Sequence, residues 1–120
     1  MSLQWKNNIF DFALLDKPKD FETMAMAVTI AHPVVELKDV VNIKNEFLET
    51  PLMVSCINCK SMDLPKFILE CKPDLYATDT FGHSVFDYAS KNEHGLKKKL
   101  IDLIGGEYLK TDEKLKPLAL

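Results

Sequence analysis

A pattern that returns at a fixed interval constrains a chain strongly, because equal segments fold into equal units. Here Phe10-Asp11-Phe12-Ala13 is matched almost residue for residue by Phe86-Asp87-Tyr88-Ala89. Leu52-Met53-Val54-Ser55 lies between them with the same large-x-x-small spacing. Leu52 and Phe86 stand 34 positions apart, whereas Phe10 and Leu52 stand 42 apart. Against a period of about 33 to 34 residues, the longer first interval implies an insertion of about eight. A second apolar pattern follows each anchor at Phe21, Leu64 and Leu96, which come 11, 12 and 10 residues later.

The second segments read as helices. Phe21, Met24, Ala25 and Val28 fall at i, i+3, i+4 and i+7, as do Leu64, Phe67, Ile68 and Cys71. Leu96, Leu100, Leu103 and Ile104 form the third apolar stripe. Asp20 and Asp63 are expected as their N-caps, with Pro65 in the first turn, where a missing N–H costs little. The first segments carry start signals of their own. Thr50-Pro51 places a hydroxyl cap before a proline at the first helical position. Ser84-x-x-Asp87 and Asn8-x-x-Asp11 read as capping boxes with aspartate in the third place. Gly105-Gly106 is expected to stop the last helix. Each unit is thus a helix, a turn, a second helix and a connecting loop.

At 120 residues the chain has room for one ordinary domain, and 47% hydrophobic with 28% charged residues is a globular balance. Net charge is −3, and all 15 cationic side chains are lysine. Without arginine there are no guanidinium forks for phosphates or base edges, so nucleic-acid binding is not expected. No run of about 18 apolar residues is present, and the N-terminal stretch lacks the apolar centre of a signal peptide, so no membrane partner is expected. Three cysteines, an odd number, suit a reducing, cytoplasmic setting.

Glu49-Thr50-Pro51-Leu52, continued as Met53-Val54-Ser55, resembles the T-P-L-H-x-A signature of the ankyrin repeat family. Asp79-Thr80-Phe81-Gly82-His83-Ser84 is similar to the Asp-x-x-Gly-x-Thr stretch that leads into a repeat. Val41-Asn42-Ile43-Lys44-Asn45 is similar to the segment running from a second helix into the next hairpin. The resemblance is good over about residues 40 to 104, weaker over 5 to 39 and absent after 106. The signature histidine is replaced by Met53 in one unit and by Asp11 and Asp87 in the others. Leu48 stands for the turn glycine, Cys59 for the glycine between helices, and Lys72-Pro73 for the Gly-Ala after the second helix.

The resemblance implies an all-α, ankyrin-repeat solenoid of helix-turn-helix units joined by β-hairpin-like loops. The domain would span residues 4–106, with units at about 4–42, 43–78 and 79–106, and a tail at 107–120. Such units bury their apolar stripes only by stacking on one another. Trp5, Phe10, Phe12, Leu14 and Leu15 are expected to open the stack; Leu100, Ile101 and Leu103 close it. Residues 32–39 (HPVVELKD) are expected as a long loop of the first unit, because His32 precedes a proline.

Little in the chain suggests covalent chemistry. Cys56-x-x-Cys59 with Cys71 invites an alternative reading, a metal- or thiol-regulated sensor. The repeat instead puts Cys56 at a small inward position, Cys71 on an apolar stripe and Cys59 near a tolerant turn. His32, His83 and His94 are separated, no nucleophile elbow is present, and neither enzyme activity nor a cofactor is expected. Lys97-Lys98-Lys99 with Lys91 reads as a solvated helix face.

What remains is a surface, and the resemblance implies a module binding a protein partner of unspecified identity, as a monomer or weak homo-oligomer. In that family the partner lies against the hairpin tips and the inner face of the first helices. The tips map onto Glu46-Phe47-Leu48-Glu49 and Thr80-Phe81-Gly82-His83, with Phe47 and Phe81 expected side by side. The candidate contacts are Phe47, Glu49, Met53, Asn58, Phe81, His83, Tyr88 and Asn92, with Ile57 and Lys91 beside them.

Overall fold

The structure, a computed structural model, describes residues 4–115, with side chains through residue 110. Among the described residues every regular element is helical: α1 (Gln4–Leu14), α2 (Pro18–Ala31), α3 (Leu37–Val41), α4 (Pro51–Asn58), α5 (Asp63–Glu70), α6 (Val85–Ala89) and α7 (Lys97–Leu115). None of them is long and apolar enough to cross a membrane. Helices α1, α4 and α6 pack on one another in chain order as one row. Helices α2, α5 and α7 form the second row, and each pairs with its partner in the first.

The core lies between the rows. Phe21, Ala25 and Val28 of α2 are buried, as are Leu64 and Ile68 of α5 and Leu100 and Ile104 of α7. The predicted stripes therefore face inward. Phe21 and Phe67 meet edge to face, with ring centroids 6.1 Å apart, and so join the second helices of two successive units. Ile9 and Ala13 from α1 meet Leu52 and Cys56 from α4 in the same buried cluster. Trp5 and Phe12 pack against it, but Leu14 and Leu15 are exposed and do not help to open the stack.

Caps are where the chain's own chemistry is plainest. Thr50 Oγ1 accepts the Met53 N–H at 3.3 Å, with Pro51 in the first turn of α4. Ser84 N–H donates to Asp87 Oδ2 at 2.9 Å, which starts α6 as expected. Other start signals fall elsewhere. Helix α1 begins at Gln4, so Asn8-x-x-Asp11 lies in its interior and caps nothing. Lys17 and Met62 occupy the N-cap positions of α2 and α5. Asp20 and Asp63 instead sit inside the first turns, where a carboxylate favours the positive end of the helix dipole.

Two further expectations are corrected. Residues 37–41 are not loop but α3, started by Glu36 N–H donating to Asp39 Oδ2 at 2.8 Å. Val40 and Val41 are fully buried, and their burial holds so short a helix together. Gly105-Gly106 does not stop the last helix, because α7 runs through both glycines to Leu115. Tyr108, just beyond them, meets Tyr76 at 4.8 Å and Phe86 at 5.5 Å between ring centroids. That packing offsets the cost of two glycines, about 1 kcal/mol each against alanine. Residues 107–115 are therefore helical, while Leu118 and Leu120 lie outside the described residues.

Candidate interaction surface

Two loops between the helix pairs are built alike. In the first, Asn45 Oδ1 accepts the N–H groups of Phe47 and Glu49 at 2.9 and 3.0 Å. In the second, Asp79 Oδ1 accepts those of Phe81 and His83, both at 2.9 Å. The backbone repeats the match: Asn45 N–H donates to the Glu49 carbonyl and Asp79 N–H to the His83 carbonyl, at 3.1 and 3.0 Å. Leu48 and Gly82 both take a positive φ, 63° and 82°. A short Asn or Asp side chain folding back on its own loop is what lets each tip turn so tightly.

The loops also touch. Thr80 N–H donates to the Phe47 carbonyl at 3.0 Å, which sets the two tips next to one another. Both tip aromatics stay in solvent, Phe47 at 52% and Phe81 at 80% exposure. The Phe81 ring lies 6.3 Å from the His83 imidazole, whose Nδ1 is 3.4 Å from Asp79 Oδ2.

Beneath the tips a single hydroxyl faces two carboxylates. Tyr88 Oη lies 2.5 Å from Asp79 Oδ2 and 2.9 Å from Glu49 Oε2. Glu49 Oε1 accepts from Asn45 Nδ2 at 2.7 Å, so the cluster ties both loops to α6. The Tyr88 hydroxyl, with help from the His83 and Phe81 backbone N–H groups, holds the Asp79 carboxyl down at about 2. Burial and the two neighbouring carboxylates push the Tyr88 phenol above its ordinary range.

Not every candidate contact reaches the surface. Phe47, Phe81 and His83 are exposed, and Glu49 is half-buried at the tip. Met53 is buried, with its thioether accepting the Thr50 N–H at 3.4 Å, so it completes the cap of α4. Tyr88 is likewise buried in the cluster just described. Asn58 is half-buried and donates within its own helix to Val54 O at 2.8 Å. Asn92 is half-buried and donates to the Cys56 and Cys59 carbonyls at 2.9 and 3.0 Å, pinning one inter-helix turn to the next. Ile57 packs against the core, and Lys91 stays exposed. Of the candidate contacts Met53 and Tyr88 are thus buried, the groove-side Lys91 and the tip residues Phe47, Phe81 and His83 are exposed, and Leu48, at 44% exposure, lies in the first tip. Its place in the turn was legible; its exposure was not, since an apolar residue in a loop can face either way.

The thiols are buried and unpaired. Burial pushes Cys59 and Cys71 up to about 11 and Cys56 higher, so all three stay protonated at neutral pH. Cys59 is fully buried beside Asn92 Nδ2, 3.5 Å away, and is not the tolerant turn residue its position suggested. Among the described residues no three His, Cys, Asp or Glu side chains converge as a metal site would require. Compared with known proteins, the chain matches no family model and no curated protein.

Proposed function

We propose that this chain is an ankyrin-type repeat module that binds a protein partner through its hairpin tips. One observation carries the reading: two loops 34 residues apart repeat the same side-chain and backbone bonds and leave Phe47 and Phe81 in solvent. The two rows of helices, stacked in chain order, support the repeat assignment. Exposed aromatics on a rigid support are the side chains that dominate protein interfaces. The proposed role is binding without catalysis, in a reducing cytoplasmic compartment. Three buried, unpaired thiols support that setting.

The test is Phe81→Ala measured twice. Its melt should stay close to that of the wild type, because an exposed side chain contributes little to the core. Its affinity for a partner captured from the native cell should fall by about 1 to 2 kcal/mol. A variant that melts far lower and binds normally makes Phe81 a brace of the loop and removes the tips from the proposed surface.

A further inference from the structure

Three oxygens meet at the base of the two tips, and the hydrogens between them can be counted. Tyr88 Oη stands 2.5 Å from Asp79 Oδ2 and 2.9 Å from Glu49 Oε2, and a phenol brings one hydrogen. The Asp79 carboxyl is held down at about 2 and so is ionised. Its contact is also the shorter of the two, as a bond from a hydroxyl to a charged oxygen is. The phenolic hydrogen therefore belongs to Asp79. Between Glu49 Oε2 and Tyr88 Oη there remains a hydrogen-bond distance with no hydrogen in it.

An ionised Glu49 would set a negative oxygen against the lone pairs of the phenol, with a second carboxylate beyond. Among the described residues Glu49 forms no ion pair that would offset this charge. Lys44 and Glu46 of its own loop line the cleft toward α1 with Lys6, and Tyr88, Asp79 and His83 stand across from it. Tyr88 and Asp79 are buried, so little water screens the repulsion. Asn45 Nδ2 holds Glu49 Oε1 at 2.7 Å and leaves Oε2 to the phenol.

We infer that Glu49 takes up a proton in the folded protein and donates it from Oε2 to Tyr88 Oη, closing a chain Glu49–Tyr88–Asp79 that locks the first tip to the second. Acidification thus ties the loops that carry Phe47 and Phe81 to a common support. The lock bears on the tip surface proposed above, yet melts test it without a partner, so either can fail alone.

Glu49→Gln is the decisive variant. Its amide keeps an oxygen for Asn45 and supplies a permanent N–H to Tyr88 Oη. At about pH 8 it should melt about 4 °C above the wild type. The gap should close toward about pH 5, because a group that binds its proton more tightly when folded adds stability as pH falls. His83→Gln in both backgrounds removes the other titration that bears on Asp79. Glu49→Ala discards the charge without supplying a hydrogen, and it should melt below Glu49→Gln. A Glu49→Gln protein that melts at or below wild type at about pH 8 overturns the inference, since an ionised Glu49 then shares the phenolic hydrogen. A Glu49→Ala melt equal to that of Glu49→Gln overturns it too, because the gain is then only the lost charge.

Discussion

The Tyr88 hydroxyl oxygen lies 2.5 Å from Asp79 Oδ2, joining the start of the second tip loop to the helix that follows it. The same carboxylate holds that loop's turn through Oδ1. One ionised side chain thus organises the tip and anchors it. Both sets of bonds are stronger to the ionised Asp79 than to its protonated form.

Stability should therefore depend on acid in a definite direction. A carboxyl depressed in the folded state stabilises the fold above its unfolded value, about 4 for aspartate. That contribution is lost as pH falls toward the folded value of about 2. Across Tyr88 stands Glu49, and His83 lies on the other side. Tyr88→Phe removes the strongest cause, so the Asp79 titration should move up toward the ordinary range. Carboxyl NMR titration of the two proteins checks this, and an unmoved midpoint sinks it.

The thiols should be silent in the folded protein. All three are buried and protonated at neutral pH, so a disulfide reagent should react slowly with native protein and with three thiols after denaturation. Cys59→Ser should cost about 1 to 3 kcal/mol, since it sets a hydroxyl in a fully buried place. A melt unchanged from wild type would restore Cys59 to the tolerant position its sequence context suggested. Fast reaction of one native thiol would revive the sensor reading.

Ser55 gives the opposite sign. It is fully buried on α4, and its hydroxyl has no hydrogen-bond partner among the described residues. Ser55→Ala removes an unsatisfied group and improves helix propensity, so it should stabilise by about 1 kcal/mol. Denaturant unfolding measures it; a loss of stability would mean that the hydroxyl is bonded in solution.

How much of this was legible follows from how local each determinant is. Thr50-Pro51 and Ser84-x-x-Asp87 announced their helices because a cap is a bond between neighbours in the chain. The stripes of α2, α5 and α7 were legible because burial follows helical periodicity. Helix α3 was not, because its five residues are too few to show a period and their support is the burial of Val40 and Val41. Met53 misled for a related reason. It stands where the family signature has histidine, yet its thioether turns inward onto the Thr50 N–H. The tip loops were legible through Phe47 and Phe81, whereas the Glu49–Tyr88–Asp79 cluster joins residues up to 39 apart in sequence.

Gly105 and Gly106 give the last expectation. Both lie within α7, and a Cβ built on either meets nothing within 4 Å. Neither takes a positive φ, so the turn-making freedom of glycine is not in use. What the glycines leave is their cost, about 1 kcal/mol each relative to alanine in a helix interior. Gly105→Ala and Gly106→Ala should each stabilise by up to that amount, because neither new methyl meets another part of the fold within 4 Å. The gain should appear in the melt and in slower amide exchange between Ile104 and Leu109. If both alanines destabilise, α7 ends at the glycine pair in solution, and the stop signal read from the sequence is correct.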